Sequence, residues 1–92
     1  MSVEIKEFLA KDAVILDVRT LEEWNEGHIE NSKHIVLNTI PTELEQIKAW
    51  NKPVIAVCRS GARSGQATQF LNQNGVEAIN GGPWGDVAAV LD

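Results

Sequence analysis

The stretch "PVIAVCRSGARSGQATQFLNQNG", Pro53 to Gly75, constrains the fold of this chain more than any other. Small and β-branched apolar residues occupy every position from Val54 to Val57 and stop at Cys58, the chain's single cysteine. A short run that is apolar at consecutive positions suits a strand buried on both faces, and a proline fits its first position. Polar and small residues follow, and then Ala67, Phe70 and Leu71 fall on one face of a helix that stops at Asn74-Gly75, a left-handed cap. Strand, small-residue loop and helix in that order predict a βαβ unit and hence a parallel sheet.

The same alternation recurs along the chain. "DAVILDVR" (Asp12 to Arg19) holds a second buried-strand run, and Thr20 and Glu23 have the spacing of a capping box, which predicts a short helix after it. Gly27 to Ile29 reads as a turn and "HIVL" (His34 to Leu37) as a strand. Thr42 and Glu45 repeat the capping-box spacing after Pro41, and Ile40, Leu44 and Ile47 recur at helical intervals. "VEAI" (Val76 to Ile79) predicts a further strand, "NGGPWG" a turn and "DVAAVL" a terminal helical stub, while "SVEIKEFLA" could open the chain as a short edge strand or a helix. The expectation is a single α/β domain over residues 1–92. It has three layers, with a mostly parallel central sheet of four to five strands and helices on both faces.

With 92 residues the chain is near the size below which folds need staples, and one cysteine makes no internal disulfide. No apolar run is long enough to span a bilayer, and the N-terminus shows no cationic stretch leading into an apolar one. A cytoplasmic location is therefore expected, or a periplasmic one if a leader has been trimmed, and no membrane partner. A net charge of −5 argues against nucleic acid as a partner. The charge is uneven, however. Gln46 to Val76 contains no Asp or Glu but holds Lys48, Lys52, Arg59 and Arg63, a local basic region on an acidic chain.

That basic region surrounds Cys58. In parallel sheets ligands bind outside the carboxyl ends of strands, where Cys58 is expected. Between a strand end and a helix N-terminus, successive backbone N–H groups can converge on an anion. Gly61 permits the backbone turn, and Ser60, Ala62 and Ser64 are small enough not to obstruct it. A thiol there, flanked by Arg59 and Arg63, should have its thiolate favoured. The plain alternative is that Cys58 is only a small buried hydrophobe, which leaves the arginines and the small-residue curl unexplained.

These residues carry a family resemblance. "CRSGARSGQATQFLNQNG" is similar to the active-site loop and following helix of the rhodanese-type sulfurtransferases. "LDVRTLEEWNEGHI" (Leu16 to Ile29) is similar to that family's N-terminal signature, and "NGGPW" (Asn80 to Trp84) to its Gly-Gly turn. The likeness is greatest to short single-domain members of the phage-shock type. It departs after Ile29, where "ENSKHIVLNTI" replaces the family's usual turn. The resemblance implies that Cys58 takes a sulfane sulfur from a small anionic donor such as thiosulfate, becomes a persulfide, and passes the sulfur to cyanide or a thiol acceptor. The backbone from Arg59 to Ser64 would form the cradle and Arg63 or Arg59 would hold the departing sulfite, with no cofactor and no metal. Nothing in the sequence identifies a protein partner.

Two other readings use the same loop. A cysteine-based phosphatase or arsenate reductase places five residues between Cys and Arg, whereas four separate Cys58 from Arg63, and no Asp is obviously placed as the general acid, Asp86 being the one the sequence leaves open. A non-catalytic rhodanese-like binding module would generally lack the cysteine. Asp17, Arg19 and Glu23 read more simply as structural ion pairs than as catalysts, and His28 as a structural hydrogen-bonding group. His34 reads as surface or packing, Trp24 and Trp50 as core aromatics, and Trp84 as either a wall of the site or plain packing.

Overall fold

A computed structural model describes residues 3–91. Four strands, β1 (Val14–Asp17), β2 (Lys33–His34), β3 (Val54–Cys58) and β4 (Ala78–Pro83), form one sheet in the order β2-β1-β3-β4, every pair parallel. Helices α1 (Val3–Ala10), α2 (Leu21–Glu26), α3 (Leu44–Ala49), α4 (Ala62–Gln73) and α5 (Trp84–Leu91) accompany them, with a 3₁₀ turn at Leu37–Thr39.

The composition of β3 dictates the three layers. All five of its residues are buried, and their side chains alternate between the two faces of the sheet. Val54, Ala56 and Cys58 join one apolar cluster with Ile40, Ile47, Ala67 and Leu71, roofed by α3 and α4. Ile55 and Val57 join the other, with Ile5, Phe8 and Val87 of α1 and α5. A strand with no polar position has to be covered on both sides.

The path of the chain then places the site. From β1 it moves outward to β2, and returns past β1 to enter β3 on the opposite side. The connections therefore diverge between β1 and β3, and the crevice this leaves lies at their carboxyl ends, Asp17 and Cys58.

Several local expectations are corrected. Of the two readings of the opening segment, the structure shows the helix over Val3–Ala10. The second strand ends at His34 and does not reach Leu37. Ile35 and Leu37 still donate N–H groups to Asp17 and Val18, but the chain then curls into the 3₁₀ turn and buries Ile40. Thr42 does not cap a helix: α3 starts at Leu44 with no side-chain cap. Ile40 is already helical and the Glu43 N–H donates back to Thr39 and Ile40, so Thr42 sits inside a run of turns and not at an extended cap position.

The "NGGP" segment is strand, not turn. β4 pairs Ala56 with Asn80 but Val57 with Gly82, so Gly81 is an extra residue and the pairing carries a bulge. Only glycine fits there, because a Cβ on Gly81 would lie 2.7 Å from Ile55 Cγ2 and 2.9 Å from Val87 Cγ2.

Candidate active site

Cys58 is the last residue of β3 and its side chain is fully buried. The chain turns through Arg59, Ser60 and Gly61 and enters α4 at Ala62. Gly61 adopts φ 103°, a conformation that side chains resist, and a Cβ there would meet Gly82 Cα at 3.4 Å. The turn aims donors at the sulfur. Gly61 N–H reaches Cys58 Sγ at 3.0 Å, Ser64 N–H at 3.4 Å, and the buried Ser64 hydroxyl lies 3.3 Å away. Burial pushes the Cys58 thiol up, but the Ser64 hydroxyl and the N–H groups of Ser64, Gly61 and Ser60 outweigh it, and the net direction is below the ordinary 9.0. The fixed donors of the turn thus favour a thiolate.

The two arginines diverge. Arg63, in the first turn of α4, neither folds over the thiol nor points freely into solvent. It reaches α2 and forms a two-pronged pair with Glu23, Nη1 to Oε1 at 2.7 Å and Nη2 to Oε2 at 2.9 Å. Glu23 also closes the capping box with Thr20, accepting its N–H at 3.0 Å. Arg63 and then Thr20 hold the Glu23 carboxyl at about 2, well below its ordinary 4.5. Arg59 instead stands exposed at a cleft of about 190 Å³, lined also by Arg19, Glu23, Glu26, Gly27 and Trp84.

The Glu23–Arg63 pair ties α2 to the reactive loop, and it should titrate. The folded carboxyl ionises at a lower pH than the unfolded one. The stability it contributes is therefore complete above pH 4.5 and is lost as the pH falls from 4.5 towards 2. Because both side chains keep some contact with solvent, Glu23→Gln is expected to cost about 1 kcal/mol at neutral pH and less below pH 3, measured by urea unfolding at both.

A second ion pair is buried. Arg19 Nη2 lies 2.7 Å from Asp17 Oδ2, and Arg19 Nε 2.9 and 3.0 Å from the two carboxylate oxygens. Arg19 Nη2 also donates to Gly27 O at 2.7 Å, and the guanidinium lies over the Trp84 ring at 4.9 Å. Trp24 is sandwiched between His28 and His34, with ring centroids 3.6 and 4.7 Å away. The Trp24 carbonyl accepts from His28 Nδ1 and the Arg19 carbonyl from His34 Nε2, both at 2.8 Å. Asp17, Arg19, Glu23 and His28 are thus occupied in holding the crevice together.

The chain as a whole has counterparts among known proteins. Residues 2–82 match the family model of the rhodanese-like domain. The chain belongs to the rhodanese-like domain family. It is 33% identical over 70 residues to YtwF of Bacillus subtilis, provisionally named a sulfurtransferase, a match covering 76% of this chain and 67% of that protein. It is 35% identical over 65 residues to a sulfurtransferase of Allochromatium vinosum, covering 71% of this chain and 60% of the relative. The chain thus spans about two thirds or less of the length of these relatives. The crystal structure of a rhodanese-like domain protein from Staphylococcus aureus superposes with a TM-score of 0.77 at 36% identity, over 92% of this chain and 84% of that one.

In this rhodanese-like domain the structure brings part of the loop to the sulfur. Cys58, Gly61 and Ser64 meet at the sulfur, Arg59 and Ser60 lie exposed on the turn, and Ala62 starts the helix. Trp84 packs on the second apolar cluster and also lines the cleft beside Arg59. Asn80 was missed. It receives the Ser64 hydroxyl at 2.6 Å and the Gly82 N–H at 2.9 Å, and donates to Gly61 O at 2.9 Å. The one signal for it was a polar residue at a strand end beside two glycines. Among the described residues no group of His, Cys, Asp or Glu is arranged to hold a metal, and no helix is long and apolar enough to cross a membrane.

Proposed function

We propose that this domain carries sulfane sulfur as a persulfide on Cys58, taking it from a small anionic donor such as thiosulfate and giving it to cyanide or a thiol. One observation carries the reading: backbone N–H groups of Gly61 and Ser64 and the Ser64 hydroxyl all converge on Cys58 Sγ. Such a turn stabilises a sulfur anion without a cofactor. In the first step the thiolate attacks the outer sulfur of thiosulfate. A Cys58 S–S bond forms as the bond to the sulfonate sulfur breaks, and sulfite leaves with the electron pair. In the second step the acceptor attacks the outer persulfide sulfur, and the Cys58 thiolate is released.

Arg59 is the donor-binding residue in this reading. It is exposed at the cleft, whereas the Arg63 guanidinium is already engaged by Glu23. The same engagement weighs against a phosphatase, whose arginine must wrap a tetrahedral oxyanion. Intact mass after incubation with thiosulfate tests the proposal. A gain of one sulfur atom, reversed by cyanide, is expected, and Arg59→Ala should require roughly tenfold more thiosulfate for the same loading, as befits loss of one charge-assisted contact. An unchanged mass at saturating donor would overturn the reading.

A further inference from the structure

Cys58, Ser64 and Asn80 form a chain of side chains in which one proton has two destinations. The Ser64 hydroxyl has a single hydrogen to donate. It sits 2.6 Å from Asn80 Oδ1 and 3.3 Å from Cys58 Sγ. The orientation of the Asn80 amide is set by its neighbours, since the Gly82 N–H donates to its oxygen, while Gly61 O, which also accepts the Gly65 N–H, can face only its NH2 group. Its oxygen therefore faces Ser64. Gly65 leaves the room for this: a Cβ there would lie 3.2 Å from Asn80 Nδ2.

We propose that Asn80 is a positioning residue for Cys58. Its side-chain oxygen is the alternative acceptor for the Ser64 hydroxyl, which turns between Asn80 and the sulfur as the charge on that sulfur changes. When Cys58 is a neutral thiol, S–H donates to Ser64 Oγ and Ser64 donates to Asn80. When the sulfur is an anion it can only accept, and the hydroxyl turns to it while Asn80 Oδ1 keeps the Gly82 N–H. In the persulfide the charge moves to the outer sulfur and Cys58 Sγ becomes a weak acceptor, so the hydroxyl returns to Asn80. This last step rests on the sulfur-carrying reading above; the first two do not.

The charged groups around the thiol are Arg59 in the loop, Arg63 on α4 with its partner Glu23 on α2, and the Asp17–Arg19 pair at the end of β1. None is altered by Ser64→Ala or Asn80→Ala, so those two substitutions isolate the hydroxyl, whereas Asn80→Asp adds a charge of its own that acts in both backgrounds. The test is the pH midpoint of Cys58 alkylation by iodoacetamide, which needs no sulfur donor and is unaffected if thiosulfate proves to be the wrong donor. Asn80→Ala frees the hydroxyl for the thiolate and should lower the midpoint by roughly half a unit to one unit, the size of one hydrogen bond. Ser64→Ala should raise it, and in the Ser64→Ala background Asn80→Ala should then move it no further. Asn80→Asp, nearly isosteric, should raise the midpoint, and by more with Ser64 present than without, which keeps the test alive should Asn80→Ala fail to fold. A rise in Asn80→Ala, or shifts of equal size in the two backgrounds for either substitution, would overturn the proposal, since a merely structural Asn80 acts whether or not Ser64 carries a hydroxyl.

Discussion

Cys58→Ser is expected to lower sulfur transfer by roughly three orders of magnitude or more and to abolish the mass gain with thiosulfate. A serine hydroxyl has no comparable thiolate state and cannot hold a sulfane sulfur, so no shared effort by the rest of the loop can compensate. The substitution should leave the fold nearly intact. Serine is slightly smaller, and the N–H groups of Gly61 and Ser64 give its oxygen partners, so a stability change within about 1 kcal/mol is expected. Thiocyanate formation from thiosulfate and cyanide, run beside urea unfolding, separates the two quantities. Activity near that of the parent in a folded Cys58→Ser protein would move the chemistry to another residue.

The largest effect on stability is expected at Asp17. Its carboxylate is 1% exposed and Arg19 4% exposed, and among the described residues Asp17 is the only carboxylate paired with Arg19. Asp17→Ala strands a guanidinium in the interior. The cost should be about 3–5 kcal/mol, a large part of the roughly 5–15 kcal/mol that holds a domain together. The Arg19–Gly27 and Arg19–Trp84 contacts that line the cleft should loosen with it. Replacing both partners, Asp17→Leu with Arg19→Met, should recover much of the loss, because the penalty comes from the unpaired charge. Urea midpoints for the two variants decide this. A midpoint for Asp17→Ala within error of the parent would mean that water solvates Arg19 in place of the carboxylate.

What could be read from the sequence was what local pattern dictates. The unbroken apolar run from Val54 to Val57 implies two covered faces, and the small residues after Cys58 imply a tight turn into a helix; both are found. The Thr20–Glu23 box is also found, since its partners are three residues apart. The misreadings arose where partners are distant. Arg63 reads, beside Arg59, as a group to hold sulfite, and its pairing with Glu23, 40 positions away, leaves no local signal. Asn80 looked like a turn residue because its role depends on Ser64 and Gly61, 16 and 19 positions earlier. "NGGP" carries turn residues, yet pairing with β3 across the bulge makes it strand. Thr42 had the right spacing but the wrong backbone, set by the burial of Ile40 just before it.

The complete burial of Cys58 has a consequence for how the protein meets other thiols. A disulfide needs two sulfurs at bonding distance, about 2 Å, and an enclosed Sγ cannot come that close to the same atom of a second copy. A lone cysteine would ordinarily expose a chain to accidental pairing, and here the walls of its own turn prevent it. Adding a sulfur atom extends the side chain outward by one bond of about the same length. On the proposed function, the sulfur within reach of a partner would be the transferred one and not Cys58 Sγ itself.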